Sequence, residues 1–136
     1  DIEKKLTHQA FLNREESISH LAYERENAFF QSIQDGDAET MRKLYKPFDS
    51  GDMGKLSSNP VRNLQYHLII TVALITRICI EGGMEMEEAY NLSDIYIRSI
   101  DSCKREEEVR MLHREVVEDY TQRMHLMKKK NRLRKM

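Results

Sequence analysis

Five histidines, two cysteines and one arginine set in an apolar run are the residues of this chain best equipped for chemistry. His8, His20, His67, His113 and His125 leave no pair at the i, i+4 spacing that lets one helix face hold a metal. His113 is followed by Glu115 and Glu118, an acidic pattern common on solvated helices. Cys79 and Cys103 form neither a metal-type pair nor a dense disulfide framework, so reduced thiols packed among apolar neighbours are expected. Gly82-Gly83 follows an apolar helical run instead of preceding one, and so does not make a helix-N-terminal anion cradle. No Ser or Cys stands in a nucleophile elbow beside a base. These patterns predict no enzyme, no cofactor and no metal.

Polar residues at positions that periodicity assigns to a core are the more informative set. Arg77 lies within Leu74-Ile75-Thr76-Arg77-Ile78-Cys79-Ile80, and Arg62, Tyr66, Ala73, Arg77 and Glu81 share roughly one side of the same helical run. Further on, Ser93 and Asp94 interrupt an apolar stripe between Tyr90 and Ile97. A buried guanidinium is costly without a partner. The expectation is therefore a buried polar seam of Arg62, Tyr66, Arg77, Glu81, Tyr90 and Asp94, with an Arg77–Asp94 contact tying two helices. Such a seam is either a satisfied ion pair or the polar floor of an effector pocket.

The elements that must position these residues are helices. Five are expected around a central one. The first spans about Glu15 to Gln34, with Ile18, Leu21, Ala22, Ala28, Phe29 and Ile33 at helical spacing and Arg25 interrupting the stripe. Asp35-Gly36-Asp37 breaks it, and Asp37 caps a short second helix carrying Met41, Leu44 and Tyr45, ended by Pro47. Residues 47–58 read as a connector long enough to be a lid or binding loop. Asn59 as cap and Pro60 at the first helical position open a central helix that runs to about Glu81 and stops at Gly82-Gly83. Its middle, 68–75, is apolar almost all round, as in a centrally buried helix. The apolar run 68–80 is too short to span a bilayer. A fourth helix covers about Glu85 to Asp101, with Met86, Ala89, Tyr90, Ile97 and Ile100 as its stripe. A long fifth starts near Lys104 and continues toward the C-terminus. Residues 1–14 read as a weakly ordered arm or short helix, 15–127 as the helical domain and 128–136 as a basic linker.

Composition agrees with an all-α domain. Hydrophobic residues are 40% and charged residues 33% of 136, with only 5 Gly and 2 Pro. The net charge of −1 conceals an asymmetry. Seven of the 22 Lys and Arg residues fall within 120–136, where there is no acid, leaving 15 against 23 acids elsewhere, a net −8. A basic tail on an acidic body signals a separate task or an anionic neighbour, although cations also favour a helix C-terminus.

Four segments together resemble the regulatory region of Firmicutes AraC-family transcription factors. Tyr23-Glu24-Arg25-Glu26-Asn27 is followed by Asp35-Gly36-Asp37. Ser57 to Tyr66 resembles the opening of that group's main helix, Thr76 to Gly83 its "TRxxIEGG", and Ala89 to Ile97 its "AYxLSDxYI". Order and spacing fit from about residue 20 to 125. The resemblance implies that a DNA-reading helix-turn-helix domain normally follows, approached through the basic stretch Lys128–Lys135. It also implies a cytoplasmic location, and that this region works by effector sensing, homodimerisation or both, contacting DNA only through that absent domain and no membrane. A stand-alone helical adaptor is the alternative. Direct nucleic-acid binding by the tail would be salt-dependent and without an aromatic stacking platform.

Overall fold

The computed structural model describes residues 1–15, 23–48 and 53–135. Among these residues there are six α-helices and no strand: α1 Ile2–Glu15, α2 Tyr23–Gln34, α3 Ala38–Leu44, α4 Pro60–Glu81, α5 Met86–Asp101 and α6 Glu106–Arg134. The expected positions Ile18, Leu21 and Ala22 lie outside the described residues. The segment left open as an arm or short helix is helix α1, which buries none of its residues.

Local signals set the ends. Asp37 caps α3 by accepting from the Thr40 N–H at 3.1 Å and the Thr40 hydroxyl at 2.6 Å. The Asn59 side chain accepts from the Arg62 N–H at 3.0 Å, with Pro60 behind it at the first helical position. Glu85 accepts from the Glu87 and Glu88 N–H groups at the start of α5. Glu108 accepts from the N–H groups of Lys104 and Arg105, closing the first turn of α6. After α4 the Met84 N–H donates to the Cys79 carbonyl and the Gly83 N–H to Ile80, with Gly83 at φ 109°. That left-handed stop reverses the chain into α5.

Helix α4 is the hub and packs against α2, α5 and α6, while α3 is wedged against α2 and α6. Leu64, Leu68, Val72, Ile75, Thr76 and Cys79 form its buried face. They meet Val109, Val116, Val117, Tyr120 and Met124 of α6, Ala89, Tyr96 and Ile100 of α5, and Phe30 and Ile33 of α2 in one core. The expected stripe of α5 is rotated. Ala89, Ser93, Tyr96 and Ile100 face inward, whereas Met86 and Tyr90 are exposed. Ala28 of α2 is exposed as well.

Two departures bear on function. First, α4 has 22 residues and is long and apolar enough to cross a membrane by length and composition alone, a test that a core helix also passes, whereas the 68–80 run by itself is too short. Only a third of its most apolar stretch is buried. Second, α6 continues unbroken to Arg134, so the stretch expected as a linker from 128 is helical and exposed from residue 129 onward.

Candidate functional site

The six residues expected to form a buried polar seam are all exposed. The reason is helical phase. Buried positions 68, 72, 75, 76 and 79 of α4 define one side, and at about 100° per residue Arg77 points away from them. The Arg77 guanidinium donates to the Ala73 carbonyl at 3.0 Å and lies 5.9 Å from the Tyr90 ring centre. Asp94 makes no ion pair with it. Arg62 and Tyr66 flank a shallow groove shared with Ile69, Ile100 and Cys103. Glu81 is at the surface. Arg77 and Tyr90 are thus the only two of the six that the fold brings into contact among the described residues.

The buried polar link between helices lies one residue earlier. The Thr76 and Tyr120 hydroxyls are 2.9 Å apart, and the Tyr120 hydroxyl also donates to the Ala89 carbonyl at 3.3 Å. This joins α4, α6 and α5 through fully buried side chains. At the periphery Tyr96 donates to Asp119, and Arg123 spans Asp119 at 2.9 Å and Glu88 at 3.0 Å. Arg42 of α3 grips both oxygens of Glu118 on α6 at 2.7 and 2.9 Å. The Arg42 guanidinium holds the Glu118 carboxyl below its ordinary range.

A cleft of about 220 Å³ opens between α2, α4 and the chain that follows α3. Its walls are Phe29 and Phe30 of α2, Ile70 and Leu74 of α4, and Phe48 and Met53; Arg25 and Glu26 also line it. Its floor is His113 of α6, which is only 4% exposed. The Phe48 ring stacks on the His113 imidazole at 4.0 Å with planes 4° apart, and the Tyr45 hydroxyl is hydrogen-bonded to His113 Nδ1 at 3.2 Å. Burial, helped by the neighbouring Arg114 charge, pushes the His113 pKa down to about 4. The imidazole is therefore neutral at pH 7. Arg114 lies over the Tyr45 ring at 4.9 Å.

Of the expected connector, residues 49–52 lie outside the described residues; 47–48 and 53–58 are pinned beside this cleft. His67 Nε2 donates to the Gly54 carbonyl at 2.6 Å, Arg110 donates to the Phe48 carbonyl at 3.3 Å, and Asn63 accepts from the N–H groups of Leu56 and Ser57. Sequence spacing did not expose this arrangement, because His67 and His113 are 46 positions apart and converge only through packing. The available signal was the apolar residues around this loop, Tyr45, Phe48, Met53 and Leu56.

Such a site binds by shape and ring contact. It presents the imidazoles of His67 and His113, with Arg25, Glu26 and Lys46 also in its lining; among the described residues no group of three or more His, Cys, Asp or Glu side chains is placed to hold a metal. The Cys79 thiol is buried and its pKa is pushed up to about 12, which leaves it protonated and unreactive. No protein-family model, curated protein or solved structure matches the chain.

Proposed function

We propose that the chain is the regulatory region of an AraC-type transcription factor, non-enzymatic and cytoplasmic, acting through effector sensing, homodimerisation or both. The observation that carries the sensing role is the ring-walled cleft floored by His113. At about 220 Å³ it is smaller than most ligand pockets, which limits it to a compact molecule, and its ring-rich walls favour a planar one. The floor residue sits on α6, the same helix that bears the basic C-terminal stretch, so occupancy of the cleft and the position of that stretch share one element. The four sequence segments of the resemblance support the same reading. They fall on the start of α2 and the Gly36 turn, the cap of α4, the α4–α5 turn and the first half of α5.

Thermal-shift titration with small aromatic probes such as indole tests the sensing role. A probe at a hundred times its Kd should add about 2.7 kcal/mol to stability, and Phe48→Ala should weaken that response. Absence of stabilisation by any such probe at millimolar concentration would remove effector sensing at this cleft. The coding frame past residue 136 tests the family assignment. A following pair of helix-turn-helix motifs is expected, and a stop codon there would favour the stand-alone adaptor.

A further inference from the structure

Helix α4 carries a second stripe, directly opposite its core face: Arg62, Tyr66, Ile70, Ala73, Arg77 and Glu81. Tyr66 is 42% and Ile70 50% exposed, and Leu74 beside them is 39% exposed. Ile70 and Leu74 border the cleft as well, and with Tyr66 they leave large apolar side chains part-exposed on the most apolar helix of the molecule. The spacing of the stripe, 4, 4, 3, 4 and 4, is symmetric about a point between residues 71 and 72. Its chemistry is complementary under that symmetry. If a second α4 lies antiparallel across this face, Arg62 meets Glu81, Tyr66 meets Arg77, and Ile70 meets Ala73, each pair twice. A parallel arrangement would instead set Arg62 on Arg62, Arg77 on Arg77 and Glu81 on Glu81, a repulsive register.

We infer that the outward face of α4 is a two-fold, antiparallel homodimer interface, with a second copy of this chain as its occupant. This deepens the dimerisation part of the proposed function and rests on that reading. Ala73, half-buried and small, lets the two helix backbones approach at the centre, while Ile70 and Leu74 supply the apolar area. Arg77 already lies beside the Tyr90 ring, so Tyr66 of the second copy places the guanidinium between two aromatic faces. Arg62 and Glu81 are separated by 19 residues, about 28 Å of helix. The stripe repeats at about 3.8 residues per turn, longer than 3.6, so the two helices cross in the right-handed sense and the long Arg62 and Glu81 side chains span the divergence at its ends. A two-fold interface is self-complementary by construction, and this stripe has that property. The three charges on the stripe disfavour a bilayer as the alternative cover for α4.

Sedimentation equilibrium on the whole chain reads the dimer directly. A concentration-dependent dimer is expected, weakened at least tenfold by Ile70→Glu. Arg62→Glu and Glu81→Arg should each weaken it severalfold, and the double variant should restore it. Both charge changes place the sign that the α4 dipole favours at its own end, so loss of the dimer in the single variants cannot be put down to a destabilised helix, and far-UV circular dichroism checks this. Tyr66→Ala, at an exposed position, provides a second reading if Ile70→Glu fails to fold. A monomer at all accessible concentrations, a dimer indifferent to Ile70→Glu and Tyr66→Ala, or no rescue in the double variant overturns the interface. So does flotation of a monomeric chain with phosphatidylcholine–phosphatidylglycerol vesicles, which would assign the face to a membrane. Ile70 also walls the cleft, so the indole titration is read on the unsubstituted chain and on Tyr66→Ala, which leaves the cleft lining intact; a monomer that still responds to the probe would retire this interface and leave effector sensing standing.

Discussion

His113 links burial to pH. Its pKa is lowered from 6.5 to about 4 by burial first and by Arg114 second, so the unfolded chain takes up this proton between those values and the folded chain does not. Stability is fully present above pH 6.5 and declines as pH falls toward 4, by up to about 3 kcal/mol from this group. Urea unfolding between pH 4 and 7 should show that slope, and His113→Gln should flatten it; an unchanged slope would mean the imidazole is solvated. Tyr120 is a second informative residue. Its hydroxyl joins Thr76 and the Ala89 carbonyl inside the core, so Tyr120→Phe should cost about 1 kcal/mol in chemical denaturation. At this scale the sequence was legible only in part. The expected seam lies at the surface: Arg77 is one residue, about 100°, from the buried Thr76, and the partner of Thr76 is Tyr120 of α6 instead of Asp94 of α5. An apolar run with no polar alternation carries little information about which side faces in, whereas the capped and charged ends of α4 carry a great deal.

The elements were legible where local chemistry decides them. Asn59-Pro60, Gly82-Gly83 and Asp37 mark boundaries through backbone hydrogen bonds that involve only near neighbours, and the structure has its helix ends there. Gly36 is a sharper case. It adopts φ 68°, and a Cβ there would come within 2.5 Å of the His125 backbone nitrogen and 2.6 Å of its Cα. The obstacle is the main chain of α6, which cannot rotate away. Gly36→Ala should therefore destabilise by more than about 2 kcal/mol, from strain and steric conflict together, read as a lowered Tm. A shift below 1 °C would show that the α2–α3 turn does not seat on α6. The sequence marked this glycine as a break but contained no sign of the close approach, because His125 lies 89 residues away. The cleft was illegible for the same reason: Phe48, His67 and His113 belong to separate elements and meet only when α4 and α6 pack.

For the whole molecule, burial is concentrated between α2 and α6, and α1 takes no share in it. Removing residues 1–15 should change stability by no more than about 0.5 kcal/mol. A larger loss in calorimetry would place α1 on the core. The all-helical class followed from periodicity and from scarce Gly and Pro, which are properties summed over many residues and tolerant of error at any one.

Helix α6 contains neither proline nor glycine from Glu106 to Arg134, so nothing in it forms a hinge. Its 29 residues make a rod of roughly 44 Å, with His113 toward one end and six cations, from Arg123 to Arg134, crowded toward the other. A tilt about His113 would carry the fully buried Tyr120 and Met124 with it, so the rod is clamped along its packed face. Past Met124 it holds the charged tip stiffly, about 15 Å of helix from the last clamped residue.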